Sequence, residues 1–383
     1  MRPLLHAASL YCLALAVTAA GAFGGQLILS DLPVPAGAST AMDVIFRPQQ
    51  DPVSALQFDL EFDSTAMDVS LVIGAAASSS GKALFVTAPD ANHKRFLFVN
   101  TDNDPIPDGT LATLTVTVKA GVPNGIYPLG IPILAAAGPD GRAALLSAVE
   151  GAIMVLSPIS VPPSSVLNGA SFLSGPVAPG EIVSVFAPGI GLPADTNPAD
   201  FRILFDGTPA PVVYAGPSQA NLVVPYAVAG KSAAQLEIRA QGITLASLSV
   251  PVVPAAPAIF TLDASGTGPA AALNQDTSIN SADNPAEKGS IVVLFATGAG
   301  QTNPPSADGQ PAAEPLPKPV LPVSVQIDGI SAEVLYAGAA PGLIAGMTQI
   351  NCRIPVDVTS GPAVSVILRV GTAESPAVTI AVK

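Results

Sequence analysis

Tryptophan is absent from this 383-residue chain, histidine and cysteine occur twice each, and charged residues make up only 11%. Each shortage excludes something. Sugar subsites usually want aromatic platforms, and a chain with no Trp and five Tyr offers few. His6 and Cys12 fall in an N-terminal apolar stretch, so His93 and Cys352 are the sole residues of their kind beyond it. That leaves no multi-histidine metal site and no intrachain disulfide, and stability must come from packed cores. Low charge means that Ser, Thr, Asn, Gln and Ala cover most of the surface, since an ordinary chain carries about 25% charged residues. The balance is acidic, −13 overall. Such a chain repels phosphate backbones and anionic lipid heads, so nucleic acid is excluded as a natural partner. Beyond the N-terminal stretch no run approaches the ~20 apolar residues of a membrane-spanning helix.

That first stretch reads as an export signal. Arg2 supplies a positive start, Leu4 to Val17 an apolar run, and Ala20-Gly21-Ala22 a small-residue cleavage site before Phe23. The expectation is a signal peptide over residues 1–22 and a secreted or cell-surface chain. Bulky Tyr11 before Cys12 argues against a lipoprotein signal.

What is abundant is proline and glycine, 40 and 34 residues. They break the chain into short extended pieces, and no segment sustains a helical period for three turns, which predicts an all-β fold. Leu56 to Phe62 alternates apolar and polar as a half-buried strand does. Further strands are expected at Met42–Phe46, Phe96–Val99, Leu111–Lys119, Tyr127–Ile131 and Val149–Leu156. Pro-Asp-Gly and Pro-Asn-Gly turns separate several of them. Residues 26–156 thus form a first β-sandwich, and Ser157 to Ser165 a Pro/Ser linker.

Beyond the linker the chain repeats itself. Gly180-Glu181-Ile182-Val183-Ser184-Val185-Phe186-Ala187-Pro188-Gly189 returns as Gly289-Ser290-Ile291-Val292-Val293-Leu294-Phe295-Ala296-Thr297-Gly298. Asp206-Gly207 and Val212-Val213-Tyr214-Ala215-Gly216 return as Asp328-Gly329 and Val334-Leu335-Tyr336-Ala337-Gly338. Gln219, Asn221 and Pro225 return as Gln349, Asn351 and Pro355. Two modules follow, residues 166–256 and 257–383, the kind of duplication that builds a rod of separately folded units. Phe186 and Phe295 are expected in their cores, with most of the Tyr214 and Tyr336 rings. Cys352, matched to Leu222 or Val223, reads as a small core residue. The second module differs in a proline-rich stretch from Asn303 to Pro322 and a longer loop from Ala339 to Thr348. Sandwich binding sites commonly lie in such end loops, although stiff surface loops without a ligand are the simpler expectation.

In residues 26–156 the order Phe58-Asp59-Leu60-Glu61-Phe62-Asp63, Phe96-Leu97-Phe98, Gly109-Thr110-Leu111-Ala112-Thr113-Leu114, Gly125-x-Tyr127 and Gly151-x-Ile153 resembles a cohesin module. The resemblance implies a jelly-roll sandwich related to cellulose-binding modules, with a dockerin-like extracellular protein or a polysaccharide as partner. Residues 164–383 resemble an uncharacterised C-terminal domain family of secreted acidobacterial proteins. The residues that carry this are Leu167-Asn168-Gly169-Ala170-Ser171-Phe172, Val177 to Val183, Gln219-Ala220-Asn221 and Val334 to Gly342. Each module is also similar to immunoglobulin-like modules of the IPT/TIG type. The expected architecture is therefore a cohesin-like jelly-roll sandwich plus two immunoglobulin-like β-sandwich modules in tandem.

Catalytic constellations are not legible. There is no Gly-x-Ser-x-Gly elbow, His-Glu-x-x-His or phosphate loop. A Ser–His–acid triad would need His93, which reads as part of a polar loop. Asp102, Asp104 and Asp108 offer hard oxygen ligands at a spacing calcium could use, but without the full loop pattern, and a solvated turn is the simpler reading. No catalytic, cofactor or metal residue is assigned. The leading expectation is a non-catalytic extracellular binding or scaffolding protein in a polysaccharide-degradation context. The alternative is a polysaccharide-active hydrolase using acidic loop residues.

Overall fold

The computed structural model describes residues 24–190 and 201–383. The signal-peptide expectation for residues 1–22 lies outside them. As the composition predicts, the chain is all-β, with one short helix and two 3-10 turns among the described residues. It divides into two compact units: residues 24–30, 40–116 and 128–152, and residues 31–39, 117–127 and 153–383.

The strands up to residue 155 are β1 (Gly25–Ile28), β2 (Leu32–Val34), β3 (Ser39–Arg47), β4 (Ala55–Glu61), β5 (Met67–Ile73), β6 (Ala83–Thr87), β7 (His93–Val99), β8 (Gly109–Val118), β9 (Gly125–Ala137), β10 (Ala143–Ala144), β11 (Leu146–Val149) and β12 (Gly151–Val155). One sheet runs β11-β1-β3-β8-β5, and the other contains the run β9-β4-β7-β6. Strand β2 pairs in parallel with β12. In β4, Leu56, Phe58 and Leu60 point inward and are buried, as the alternation predicts. Phe58 packs against Phe96 and Phe98, with ring centroids 5.2 and 6.4 Å apart. His93 opens β7, so it belongs to a strand and not to the polar loop expected for it.

Strands β1, β2, β5, β6 and β10 and a helix went unread in the sequence. In β5, Met67, Val69 and Leu71 are buried between exposed Asp68, Ser70 and Val72, a clean period of two. Helix α1 (Ala75–Ser79) is too short to show a helical period, and it has no side-chain N-cap. Gly74 starts it because a Cβ there would overlap the Thr110 carbonyl oxygen. Buried Ala76 and Ala77 then fit where larger side chains would not.

The rest of the chain adds β13 (Val166–Asn168), β14 (Ile182–Phe186), β15 (Phe201–Phe205), β16 (Thr208–Pro209), β17 (Val212–Gly216), β18 (Gln219–Val223), β19 (Ala233–Ala240) and β20 (Ile243–Pro251). These make two four-stranded sheets, β13-β14-β18-β17 and β16-β15-β19-β20. Val183, Val185, Leu222, Phe205 and Leu236 are among the residues of the core they share. Residues 156–161 join it as well. Leu156 and Val161 are buried in this core, the Ile159 amide donates to the Leu245 carbonyl at 2.8 Å, and the Ser157 amide donates to Asn124 Oδ1 at 2.8 Å.

Then follow β21 (Ala258–Ile259), β22 (Ala272–Leu273), β23 (Ile291–Thr297), β24 (Thr302–Asn303), β25 (Lys318–Pro319), β26 (Val323–Ile327), β27 (Ile330–Ala339), β28 (Thr348–Arg353), β29 (Gly361–Val370), β30 (Ala373–Glu374) and β31 (Val378–Val382). Nine of these strands share one sheet, because β27 pairs with β26 near its start and with β28 near its end. Their core contains Val292, Leu294, Val325, Ile350, Cys352 and Val366.

The matched phrases take matched conformations. Ile182 faces Val223 and Val183 faces Leu222, as Ile291 faces Arg353 and Val292 faces Cys352, so Leu222 is the counterpart of Cys352. Both Asp-Gly pairs have positive φ at both residues, the tight hairpin turn such dipeptides favour. Register shifts fall at Val212/Tyr214 and at Val334/Tyr336. In Tyr-Ala-Gly the ring lies over the glycine: a Cβ on Gly216 or Gly338 would stand 2.6 Å from the Tyr214 or Tyr336 hydroxyl oxygen. Gln219 and Gln349 each donate to the asparagine two residues on, at 2.8 and 2.9 Å.

Three aromatic expectations need correction. Phe186 and Phe295 are half-buried and Tyr214 is 52% exposed, whereas Tyr336 keeps most of its ring buried as expected. Side-chain parity explains the phenylalanines. In β23 the inward residues are Val292, Leu294 and Ala296, which puts Phe295 on the opposite face. The bulged strands turn their tyrosines over glycines and not into the core. The two long loops also pair with each other: Ala339 donates to the Pro317 carbonyl at 2.7 Å and Ala345 to that of Gln310 at 2.9 Å.

Candidate functional site

The outer side of the β9-β4-β7-β6 sheet is the feature of the first unit that needs a functional account. Because Leu56, Phe58, Phe96 and Phe98 face the core, the residues between them must face out. Pairing places Phe85, Leu97, Gln57 and Ala135 in one cross-strand row, and Thr87, Arg95, Asp59 and Ile133 in the next. Phe85 is 56% exposed and Ile133 42% exposed. A large aromatic side chain on the edge strand β6 and a branched aliphatic one on β9 thus stand in water, with half-buried Leu97, Gln57 and the Arg95–Asp59 pair between them. Large apolar side chains exposed on one ordered sheet face mark it as a candidate interaction face.

The charged groups of this face are organised. Arg95 makes a bidentate pair with Asp59, Nε to Oδ1 at 2.7 Å and Nη2 to Oδ2 at 2.8 Å. The Asp59 side chain is 5% exposed whereas that of Arg95 is 39% exposed, so the guanidinium covers the acid and shows its own edge to solvent. The hydrogen bond to Asp59 raises the Arg95 pKa further. At the end of the face His93 Nδ1 lies 2.8 Å from both carboxylate oxygens of Asp90, and its Nε2 lies 4.0 Å from Glu61 Oε1. The Asp90 hydrogen bond, with smaller contributions from nearby acids, pushes the His93 pKa up, and the same bond holds Asp90 low.

Asp102, Asp104 and Asp108 are exposed, and among the described residues no group of three or more His, Cys, Asp or Glu is placed to hold a metal ion. The cation beside Asp102 is Lys82. Its ammonium donates to Asn100 Oδ1 at 2.8 Å and to the Asp102 carbonyl at 3.3 Å. Burial lowers the Lys82 pKa, against the raising effect of Asp104 and Asp102. Sequence reading missed this lysine and the Asp59–Arg95 pair, because their partners lie 20 and 36 residues away.

Cys352 is fully buried, and burial pushes its thiol up to about 12. Since the thiolate is the reactive form, the folded protein is expected to react with a thiol reagent at least about 100-fold more slowly than the unfolded chain. A colorimetric thiol assay on residues 24–383, where Cys352 is the sole cysteine, with and without denaturant checks this, and prompt reaction in buffer would contradict the placement.

The fold and this face define a class: an all-β chain of sandwich sheets, one of which exposes apolar side chains on either side of an ion pair. Solved structures similar to part of the chain are cohesins. One is the type I cohesin–dockerin complex from Clostridium thermocellum, with 19% identity, a TM-score of 0.32, and coverage of 35% of this chain and 99% of that one. Another is a cohesin from Clostridium acetobutylicum solved in solution, with 19% identity, a TM-score of 0.31, and coverage of 34% and 90%. The non-cellulosomal cohesin of the archaeon Archaeoglobus fulgidus has 14% identity, a TM-score of 0.30, and coverage of 35% and 93%. No protein-family model and no curated protein matches the chain.

Proposed function

We propose that the chain is a secreted, non-catalytic binding protein whose first unit takes an extracellular protein partner on the outer face of β9-β4-β7-β6. The residues from 166 onward serve as a spacer or attachment region. The observation that carries this reading is the exposed Phe85 and Ile133 beside the Asp59–Arg95 pair. Apolar side chains left in water on an otherwise ordered sheet face gain most by being covered, and a flanking guanidinium supplies orientation. The cohesin-like order of strand motifs in residues 26–156 suggests a dockerin-like protein as the partner. The apolar start ending in Ala20-Gly21-Ala22 supports export.

The test uses purified residues 24–383 as bait for dockerin-bearing extracellular proteins, alongside assays on chromogenic glycosides. Capture is expected, and Phe85→Asp or Ile133→Asp should weaken it by about 30-fold or more, the scale of an interface hot spot, with little change in melting temperature. Equal capture by both variants would move the site elsewhere. Glycoside turnover abolished by replacing one or two acidic residues would favour the hydrolase alternative.

A further inference from the structure

Within the second unit, residues before 227 and residues after 255 are tied by buried polar groups. Thr297 has no solvent exposure. Its hydroxyl oxygen accepts the Ile182 amide at 2.8 Å, and the hydroxyl donates to the Gly346 carbonyl at 3.0 Å. Asn168 uses its whole amide. Its Oδ1 accepts the Ala170 and Ser171 amides, while its Nδ2 donates to Glu181 at 2.8 Å and to the Ala256 carbonyl at 3.0 Å. The proline-rich stretch, with Gln301 just before it, adds a third tie. Asp308 accepts the Tyr226 amide at 3.0 Å, and Gln301 donates to the Tyr226 carbonyl at 2.8 Å.

Backbones approach closely along the same seam. A Cβ on Gly266 would overlap the Ser171 carbonyl oxygen, and one on Gly346 would overlap that of Gly180. Thr297 stands where the first of the matched phrases has Pro188, so the first segment has no hydroxyl at the equivalent position.

We infer that residues 166–383 form a single cooperative folding unit, in which the second matched segment is the docking partner of the first through a seam built around Thr297. The physical reason is the cost of separation. Parting the segments would strip the Ile182 amide and the Ala256 carbonyl of the partners shown here, and buried backbone groups are expensive to leave unpaired. Domains that move independently instead meet through small polar surfaces and exposed linkers. The proline-rich stretch and the 339–348 loop, distinctive of the second segment, are accordingly parts of this seam.

The experiment is hydrogen exchange with mass spectrometry on residues 24–383, comparing the parent with Thr297→Val, which keeps shape and removes the hydroxyl. Loss of that buried partner should speed exchange about tenfold or more, together, in peptides covering β18 and β28, while β4 and β7 peptides stay unchanged. Thr297→Ser, which keeps the hydroxyl, should exchange nearly as the parent does. Should Thr297→Val fail to fold, Asp308→Ala is expected to give the same concerted pattern at smaller amplitude. Acceleration confined to β23 and β28 in either variant would overturn the inference. So would calorimetry of the parent that resolves separate transitions for the two segments.

Discussion

Raising the pH from 4.5 to about 8 is expected to weaken the second unit by as much as about 5 kcal/mol, through Glu181 alone. Glu181 is 1% exposed and has no cation among its hydrogen-bond partners, which are the Ala178 amide at 2.7 Å and Asn168 at 2.8 Å. Burial pushes its carboxyl up to about 8 from the ordinary 4.5, against the lowering effect of those two donors. A folded pKa raised above the unfolded one means that the folded state binds more protons between the two values. Stability is therefore fully present below 4.5, falls as pH rises, and levels off above about 8.

Urea midpoints across this range, followed by far-UV circular dichroism, would show the slope. Glu181→Gln should flatten it. The replacement also turns an NH₂ group toward Asn168 Nδ2, which cannot flip because its Oδ1 already accepts two amides. That adds a pH-independent cost of about 1–3 kcal/mol, so the slope and not the absolute stability is diagnostic. His93 contributes with the same sign, since its folded pKa is raised as well and its share is lost as pH rises past that value. It belongs to the other unit, and a His93→Gln background removes it. A parent profile that is flat from pH 5 to 8 would refute the role given to Glu181.

The second large effect concerns Phe58, which is fully buried against Phe96 and Phe98. Phe58→Ala should destabilise the first unit by about 3–5 kcal/mol, the transfer loss plus the cavity left among rings that cannot collapse fully. The informative contrast lies in β23. Leu294→Ala, at a position with no exposure, should cost about 2–5 kcal/mol, more than Phe295→Ala, although phenylalanine is the larger residue. Half-buried Phe295 forfeits only part of its transfer energy, about 1–2 kcal/mol. Denaturant curves with equal slopes would compare them, and a larger loss at Phe295 would mean that the parity of β23 is wrong.

These contrasts mark where reading the chain worked and where it stopped. Leu56, Phe58 and Leu60 were legible because strand alternation is local, and both Asp-Gly turns because glycine tolerates positive φ. Phe295 was misplaced because recurrence in two matched phrases shows that a residue matters without showing which face it occupies. The candidate face was partly legible: the sequence marks Phe96 and Phe98 as strand residues, whereas Phe85 sits in a strand that was not recognised. Its exposure depends on β6 lying at the sheet edge beside β7.

Composition, turn chemistry and the matched phrases determined by themselves that this chain is all-β and dependent on packed cores. They also carried the hairpin geometry, since a dihedral preference acts within a few residues and leaves its mark in them. Tertiary structure alone decided that Arg95 covers Asp59, that Lys82 is the cation beside Asp102, and that Asn168 joins Glu181 to Ala256. Each of those pairings links residues between 13 and 88 positions apart. A buried polar atom is satisfied by whatever the fold brings within about 3 Å, and no local pattern encodes that neighbour.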